Sequence, residues 1–327
     1  MPEEKFFFYN SSFFNIDCFS DFVKKFLIQS DISANSRITY KRALNIFIDW
    51  CTKNSLYNSN YIPTRETILN YKSFLLDSEI KPFTKSLYLT CVKQFFSWTG
   101  SNFIFPNISN GIKGIKRITK KHHKDPLKKE DVILLFNSID TSTIIGLRDY
   151  TLIYLLIHTG LRLIEVSSIL ISDMEINHSN ENVVLWVRGK GRDGKDSFVM
   201  LVKDVFQVLT KYLDFRNSLN IESKLLFFSH STKTKNKIIK KFSTSSISRI
   251  VKNRLISAGV KTKRISAHSL RHTFGVMAIN AGVSLYDLQL AMRHSSPTTT
   301  QIYLGDIEHA KRINACPEQT IRDFLKS

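Results

Sequence analysis

The sequence predicts a mainly α protein with one small β-sheet, arranged as a helical first domain and a mixed α/β, mostly helical second domain. Three observations predict it. Apolar residues recur at helical spacing through the first third of the chain. A stretch rich in lysine, with two glycines, then breaks the pattern, and farther on two apolar segments flank a glycine-bearing turn. With 327 residues, 43% hydrophobic and 23% charged, the chain is long enough for two domains and apolar enough for each to bury a core.

From about residue 16 to 108 the pattern is that of helices. Leu44, Phe47, Ile48 and Cys51 fall at i, i+3, i+4 and i+7, and Tyr88, Cys91, Val92 and Phe95 repeat the spacing, which puts each quartet on one helical face. Thr64, after Pro63, is the N-cap candidate for a helix through Ile68, Tyr71 and Leu75. No capping box is expected there, because Thr67 stands where Glu or Gln would be needed. Residues 1–110 therefore read as a small bundle with short connections. Residues 111–125, GIKGIKRITKKHHKD, hold two glycines and six Lys/Arg against one acid. They read as a basic linker suited to lie along a phosphate backbone. The adjacent His122 and His123 have no further ligands at supporting spacing and belong to the same polar strip.

The second domain, 126–327, opens at Pro126 with a helical pattern at Val132, Leu135, Phe136 and Ile139. A second helix covers 147–157 and ends at His158-Thr159-Gly160. Residues 183–188 and 197–202 read as strands around Gly189-Lys190-Gly191-Arg192-Asp193-Gly194, as in a β-hairpin. A loop rich in Lys, Ser and Thr (229–241) follows. Helical spacing returns at Ile247, Ile250, Val251 and Leu255 after the capping candidates Ser243, Thr244 and Ser245. The tail beyond residue 303, with Ile313, Ile321, Phe324 and Leu325 apolar, reads as partly helical.

Lys and Arg number 47 against 28 Asp and Glu, a formal net charge of +19. A charge of that size calls for a polyanionic partner, and nucleic acid is the default. Cys18, Cys51, Cys91 and Cys316 are scattered with no C-x-x-C pair, so no zinc site is expected and a reduced, intracellular setting is the simplest reading. Cys51 and Cys91 sit on apolar helical faces, as small hydrophobes. Residues 1–14 carry two acids and only a three-residue apolar run before Tyr9, unlike a signal peptide. The longest apolar runs, such as 152–157, are far too short for a bilayer. A cytosolic protein with no membrane partner is expected.

Four segments of the second domain carry chemistry together. They are Thr159-Gly160-Leu161-Arg162-Leu163-Ile164-Glu165, the turn with Lys190, Ala267-His268-Ser269-Leu270-Arg271-His272, and Arg293-His294-Ser295-Ser296 leading to Tyr303 nine residues after His294. In order and spacing the set resembles the tyrosine recombinase (phage integrase) family, which carries Arg, Lys, His-x-x-Arg, His or Trp, and Tyr. The resemblance spans most of 126–310. It implies a helical, SAM-like core-binding domain followed by a tyrosine-recombinase catalytic domain.

The residue types suit that chemistry. A phosphodiester in transition gathers negative charge on its non-bridging oxygens, and guanidinium groups supply planar, permanently charged donors for it. Arg162 and Arg271 are the expected clamp. Taken alone, Arg162 with Glu165 three residues on could equally be an ordinary ion pair; in this company Glu165 is expected to orient Arg162 or His268. The resemblance makes Tyr303 the nucleophile that leaves a 3′-phosphotyrosine and a free 5′-hydroxyl. A phenol, with a pKa of about 10, needs a base and positive charge to react at neutral pH; by local pattern alone Tyr303 would be a core tyrosine. Tyr286, on one helical face with Val283 and Leu290, reads as a packing residue. Lys190 is preferred to Lys195 as the acid for the leaving 5′-oxygen. His268 fits acid–base work on the tyrosine proton, and His294 a hydrogen bond to a non-bridging oxygen. His272 reads as a buried structural histidine. One departure stands out: the family usually has glycine where this chain has Arg293, which is expected either to alter the backbone there or to add a phosphate contact.

Expected DNA contacts are Lys41 and Arg42 on one helix, Lys85 and Ser86 at the start of another, and Arg249, Lys252 and Asn253 off the Ile247–Leu255 stripe. No metal or other cofactor is expected, since arginine and lysine can supply the charge and no Asp/Glu cluster is placed to hold an ion. The resemblance further implies double-stranded DNA with specific recombination sites as partner, a homotetramer on two duplexes, and a tail that docks on a neighbouring subunit. With no extra module ahead of the bundle, the chain is most similar to Xer-type recombinases. That implies resolution of chromosome or plasmid dimers, a DNA translocase as partner and a place at the nucleoid. A mobile-element integrase, a type IB topoisomerase or telomere resolvase, and a non-enzymatic DNA-binding protein are the alternatives.

Overall fold

The computed structural model describes residues 16–54, 62–116, 124–176, 183–188, 194–229, 240–294, 296–297, 299–301, 321–322 and 325. The chain divides into two compact units, Met1–Thr119 and Lys120–Ser327.

The first unit is built from α1 (Ile16–Gln29), α2 (Ala34–Lys53), α3 (Arg65–Asp77) and α4 (Pro82–Ser101). Ser33 caps α2 by accepting from the Ser36 N–H at 3.2 Å, and Pro82 opens α4 where its missing N–H costs nothing. At α3 the Thr64 N–H donates to the Thr67 hydroxyl at 3.0 Å. Threonine thus performs the backward half of a capping box that was not expected here. Both predicted quartets, Leu44 to Cys51 and Tyr88 to Phe95, are buried. They meet in an aromatic core in which Phe19 and Phe95 lie 4.9 Å apart, and Phe47 and Tyr71 meet edge-on at 4.8 Å. Burial also raises the Cys51 and Cys91 thiols well above the ordinary range, Cys91 to about 12.

In the second unit, α5 (Lys129–Asn137), α6 (Ile144–Thr159) and the single turn α7 (Leu163–Val166) precede a three-stranded antiparallel sheet. Its strands are β1 (Met174–Ile176), β2 (Val183–Val187) and β3 (Ser197–Leu201). The predicted pair β2 and β3 is present, with Val183 opposite Leu201 and Leu185 opposite Val199, so the buried residues of both strands share one face. Then come α8 (Lys203–Ser218), the two-residue strands β4 (Phe228–Ser229) and β5 (Lys240–Lys241), α9 (Thr244–Ser257), α10 (Ala267–Asn280) and α11 (Leu285–Met292). Strands β1, β4 and β5 were not predicted; at two or three residues they are too short to show an alternation.

Helix α6 lies at the centre, with Leu152, Ile153, Leu155 and Leu156 all buried in the core shared with α8, α9 and α10. A buried ion network pins α9 to it. Asp149 accepts from Arg148 Nε at 2.9 Å through one oxygen and from Arg254 Nε at 2.8 Å through the other. Near the end of the described chain, α11 buries Leu288 and Met292. Tyr286 is 70% exposed, and Val283 and Leu290 are exposed beside it. The packing role read for Tyr286 is therefore corrected: α11 packs on one side only, and Tyr286 lies on the other. Among the described residues no helix is long and apolar enough to cross a membrane.

Candidate active site

The site is assembled where α6, α10 and α11 end or begin. Helix α6 stops at Gly160, whose left-handed conformation (φ 60°) caps the helix. A Cβ there would come within 2.5 Å of the Phe274 ring, so backbone angle and space both require glycine. The turn sends Leu161 into the core and leaves Arg162 in the N-cap position of α7.

Arg162 is then fixed from three directions. Its N–H donates to Glu165 Oε2 at 2.7 Å, its Nη1 to Glu165 Oε1 at 2.9 Å, and its Nη2 to the Arg293 carbonyl at 3.1 Å. Glu165 is fully buried and also accepts from Arg293 Nη2 at 3.0 Å. Burial pushes the Glu165 carboxyl up, but the Arg293 charge and the hydrogen bonds from Arg162 and Arg293 outweigh it and hold the group below its ordinary value. Glu165 was expected to orient Arg162 or His268; the bonds described here join it to Arg162.

Arg271 lies on α10, almost wholly buried. Its Nη1 donates to the Gly160 carbonyl and its Nη2 to the Met292 carbonyl at 2.5 Å. The end of α11 thus presents two successive carbonyls, Met292 to Arg271 and Arg293 to Arg162. Carbonyls at a helix C-terminus lack intrahelical partners and carry the negative end of its dipole, so guanidinium groups suit them. His268 stands one turn before Arg271 on α10, and its side chain is exposed. His272 is buried, as expected of a structural histidine. His294 follows the turn at Arg293; its Nδ1 lies 2.9 Å from the Thr300 hydroxyl and its N–H donates to the Gln289 carbonyl at 3.1 Å. The structure therefore brings Arg162, Glu165, Arg271 and the 292–294 turn into one network.

Lys190 and Tyr303 lie outside the described residues. The competitor Lys195 pairs with Asp173, a buried carboxylate that also accepts the Leu170 N–H at 2.8 Å. Lys195 is thus tied to the 3₁₀ turn Ile171–Asp173 ahead of β1. Among the described residues no group of three or more His, Cys, Asp or Glu is placed to hold a metal.

Of the expected DNA contacts, Lys41 and Arg42 are exposed on α2, and Arg249, Lys252 and Asn253 are exposed on α9 away from buried Ile247, Val251 and Leu255. Lys85 is half-buried, with its Nζ on the Leu76 carbonyl at 2.7 Å. Ser86 is a correction. It is 6% exposed on the buried side of α4, one turn before Leu89, and cannot meet a duplex. Arg293 was read as a change in backbone or an added phosphate contact. Its backbone is in the left-handed region (φ 53°, ψ 48°), and its side chain goes to Glu165. The carbonyls of Gly160, Met292 and Arg293 are further parts of the site, which residue type alone does not reveal.

Two arginines, Arg162 and Arg271, are thus braced on backbone carbonyls of a helical scaffold, an arrangement suited to an anionic oxygen group. The chain belongs to the phage integrase family, whose model matches residues 126–309. It is a tyrosine recombinase, a DNA strand transferase that acts in site-specific recombination. It is 28% identical to the tyrosine recombinase XerC of Leptospira interrogans serogroup Icterohaemorrhagiae serovar copenhageni (strain Fiocruz L1-130) over 307 residues, 89% of this chain and 91% of that protein. It is 24% identical to the tyrosine recombinase XerD of Vibrio cholerae serotype O1 over 285 residues, 86% of this chain and 89% of the other. Its fold is similar to that of the XerH site-specific recombinase bound to difH substrate in a pre-cleavage complex. The TM-score is 0.67 at 20% identity, over 90% of this chain and 84% of that one.

Proposed function

We propose that Tyr303 is the nucleophile of this recombinase and that Arg162 and Arg271 hold the scissile phosphate. The observation that carries the reading is the anchoring of both arginines on the successive carbonyls of Met292 and Arg293, directly ahead of His294 and ten residues or so before Tyr303. In the first step the Tyr303 oxygen bonds to phosphorus and the bond from phosphorus to the 5′-oxygen breaks. His268 takes the phenolic proton and Lys190 gives one to the leaving 5′-oxygen. His294 donates to a non-bridging oxygen while the two guanidinium groups balance its charge. In the second step the 5′-hydroxyl of the partner strand attacks the phosphotyrosine, and the same groups run in reverse. One phosphodiester is broken for each one made, so no external energy source is needed.

The biological setting follows the same reading. The first unit serves as a core-binding DNA domain, 1–110, and the basic stretch 111–125 links it to the catalytic domain, 126–327. Lys41, Arg42 and Lys85 in the first unit and Arg249, Lys252 and Asn253 in the second meet double-stranded DNA. Four copies act on two duplexes, the tail beyond Tyr303 docks on a neighbouring copy, and a DNA translocase brings the sites together at the nucleoid. The purpose is Xer-like resolution of chromosome or plasmid dimers, supported by the similarity to XerC and XerD along most of both chains. Nicked suicide duplexes test the chemistry: wild type is expected to form a covalent protein–DNA adduct and Tyr303→Phe none. An adduct that persists in Tyr303→Phe would move the nucleophile elsewhere. Nicking and closing without exchange of partners would favour a topoisomerase-like role.

A further inference from the structure

Arg293 is an unusual residue for its place. It ends α11 at φ 53° and ψ 48°, a conformation that glycine adopts freely and L side chains adopt at a cost. The family's motif usually has glycine here, so the side chain must return something. Its side chain is 10% exposed, with Nη2 3.0 Å from Glu165 Oε2 and Nη1 2.7 Å from the Ala291 carbonyl. It does not face outward as a phosphate contact would.

Glu165 therefore has two cations. Its Oε1 holds Arg162 Nη1, and its Oε2 takes Arg293 Nη2 and the Arg162 N–H. A planar guanidinium facing a lone buried carboxylate tends to close on both oxygens in a fork. Here the second oxygen is already occupied. Arg162 is left holding Glu165 through one nitrogen and turns the other to the Arg293 carbonyl, beside the carbonyl that holds Arg271.

We propose that Arg293 is a positioning residue for strand transfer: by occupying the second oxygen of Glu165, it keeps Arg162 from folding onto that carboxylate and aims its guanidinium at the scissile phosphate. This rests on the reading that Arg162 binds that phosphate. One residue does two jobs: the Arg293 carbonyl receives Arg162 Nη2, and the Arg293 guanidinium occupies the Glu165 oxygen that would compete for it. In Arg293→Gly the turn survives unstrained, but Glu165 is left with one cation and draws Arg162 into the fork.

The test is single-turnover cleavage of a nicked suicide duplex on which wild type forms its adduct, with affinity for the same duplex measured by gel shift. Arg293→Gly is expected to slow cleavage tenfold or more while affinity stays within twofold. Arg293→Lys restores most of the rate, because an ammonium can also occupy Oε2. In a Glu165→Gln background, Arg293→Gly adds less than a further twofold loss, because the competing charge is gone. Cleavage by Arg293→Gly within twofold of wild type would overturn the proposal. So would a loss of affinity in proportion to the loss of rate, which would make Arg293 a DNA contact. Arg162→Ala, run alongside, separates the failures. Cleavage that survives Arg162→Ala refutes the assignment of Arg162; cleavage lost in Arg162→Ala but kept in Arg293→Gly refutes only the role of Arg293.

Discussion

Rings hold the first unit together, whereas charges thread the second. In the bundle, Phe19, Phe47, Tyr71, Phe95 and Phe96 fill the centre. In the second unit the aliphatic core around α6 is crossed by buried Glu165, Arg271, Arg148, Asp149 and Arg216, each joined to hydrogen-bond partners. Aromatic burial is stabilising wherever it is well packed. Buried ion pairs give little net stability against apolar groups of the same volume, but they are costly to break. The bundle is thus organised to stay folded, and the second unit uses an apolar frame to hold charges at fixed positions.

The contrast can be broken by substitution. Phe47→Ala empties a site ringed by Trp50, Tyr71 and Phe96 and is expected to cost about 3–5 kcal/mol of stability. Thermal or denaturant unfolding should show the first unit melting earlier, while cleavage per adduct-competent molecule at low temperature is little changed. If Phe47→Ala instead abolished cleavage in fully folded protein, the division of labour between the units would be wrong.

Glu165→Gln sharpens the same comparison from the other side. Gln keeps the shape but leaves two guanidinium groups without their carboxylate, a loss of about 3 kcal/mol at neutral pH on the scale of broken buried pairs. Because the folded Glu165 pKa is depressed below its ordinary 4.5, its contribution is present above that value and is lost as pH falls through the lower, folded pKa. The stability gap between wild type and Glu165→Gln should therefore be widest near neutrality and narrow in acid. A gap that stayed constant below pH 4.5 would mean that the carboxylate charge is not what the arginines bind.

The two units also differ in how much of them could be read from sequence. The bundle's helices were legible because each packs one continuous apolar stripe inward, and spacing reports this directly. In the second unit the hairpin and the helices around α6 and α9 were legible for the same reason. Helix α8 was missed although buried Val205, Leu209 and Tyr212 fall at i, i+4 and i+7; the stripe closes on Arg216, which stacks on Phe228 and donates to the carbonyls of Leu225 and Leu226. Tyr286 misled because spacing shows that a face is apolar and not whether anything covers it. At the site, Arg162, Glu165, His268 and Arg271 stood out as residue types at set spacing. The acceptors that brace the arginines are backbone carbonyls, and every residue has one. The pairing of the Arg293 side chain with Glu165 was hidden because the two lie 128 residues apart in sequence.

The smallest effect concerns two residue sets read alike as DNA contacts. Lys252 is exposed on α9, whereas Ser86 is buried in α4. A lysine on a phosphate releases about one counterion, so Lys252→Ala should weaken binding across sequences and reduce the slope of log affinity against log salt by about 1. Ser86→Ala removes a hydroxyl from the bundle interior and should leave both affinity and slope unchanged, with at most about 1 kcal/mol lost from the stability of the first unit. Gel shifts over a salt series read both at once. A Ser86→Ala variant with a reduced slope would mean that α4 turns when DNA binds, and a Lys252→Ala variant with an unchanged slope would take α9 away from the backbone of the duplex.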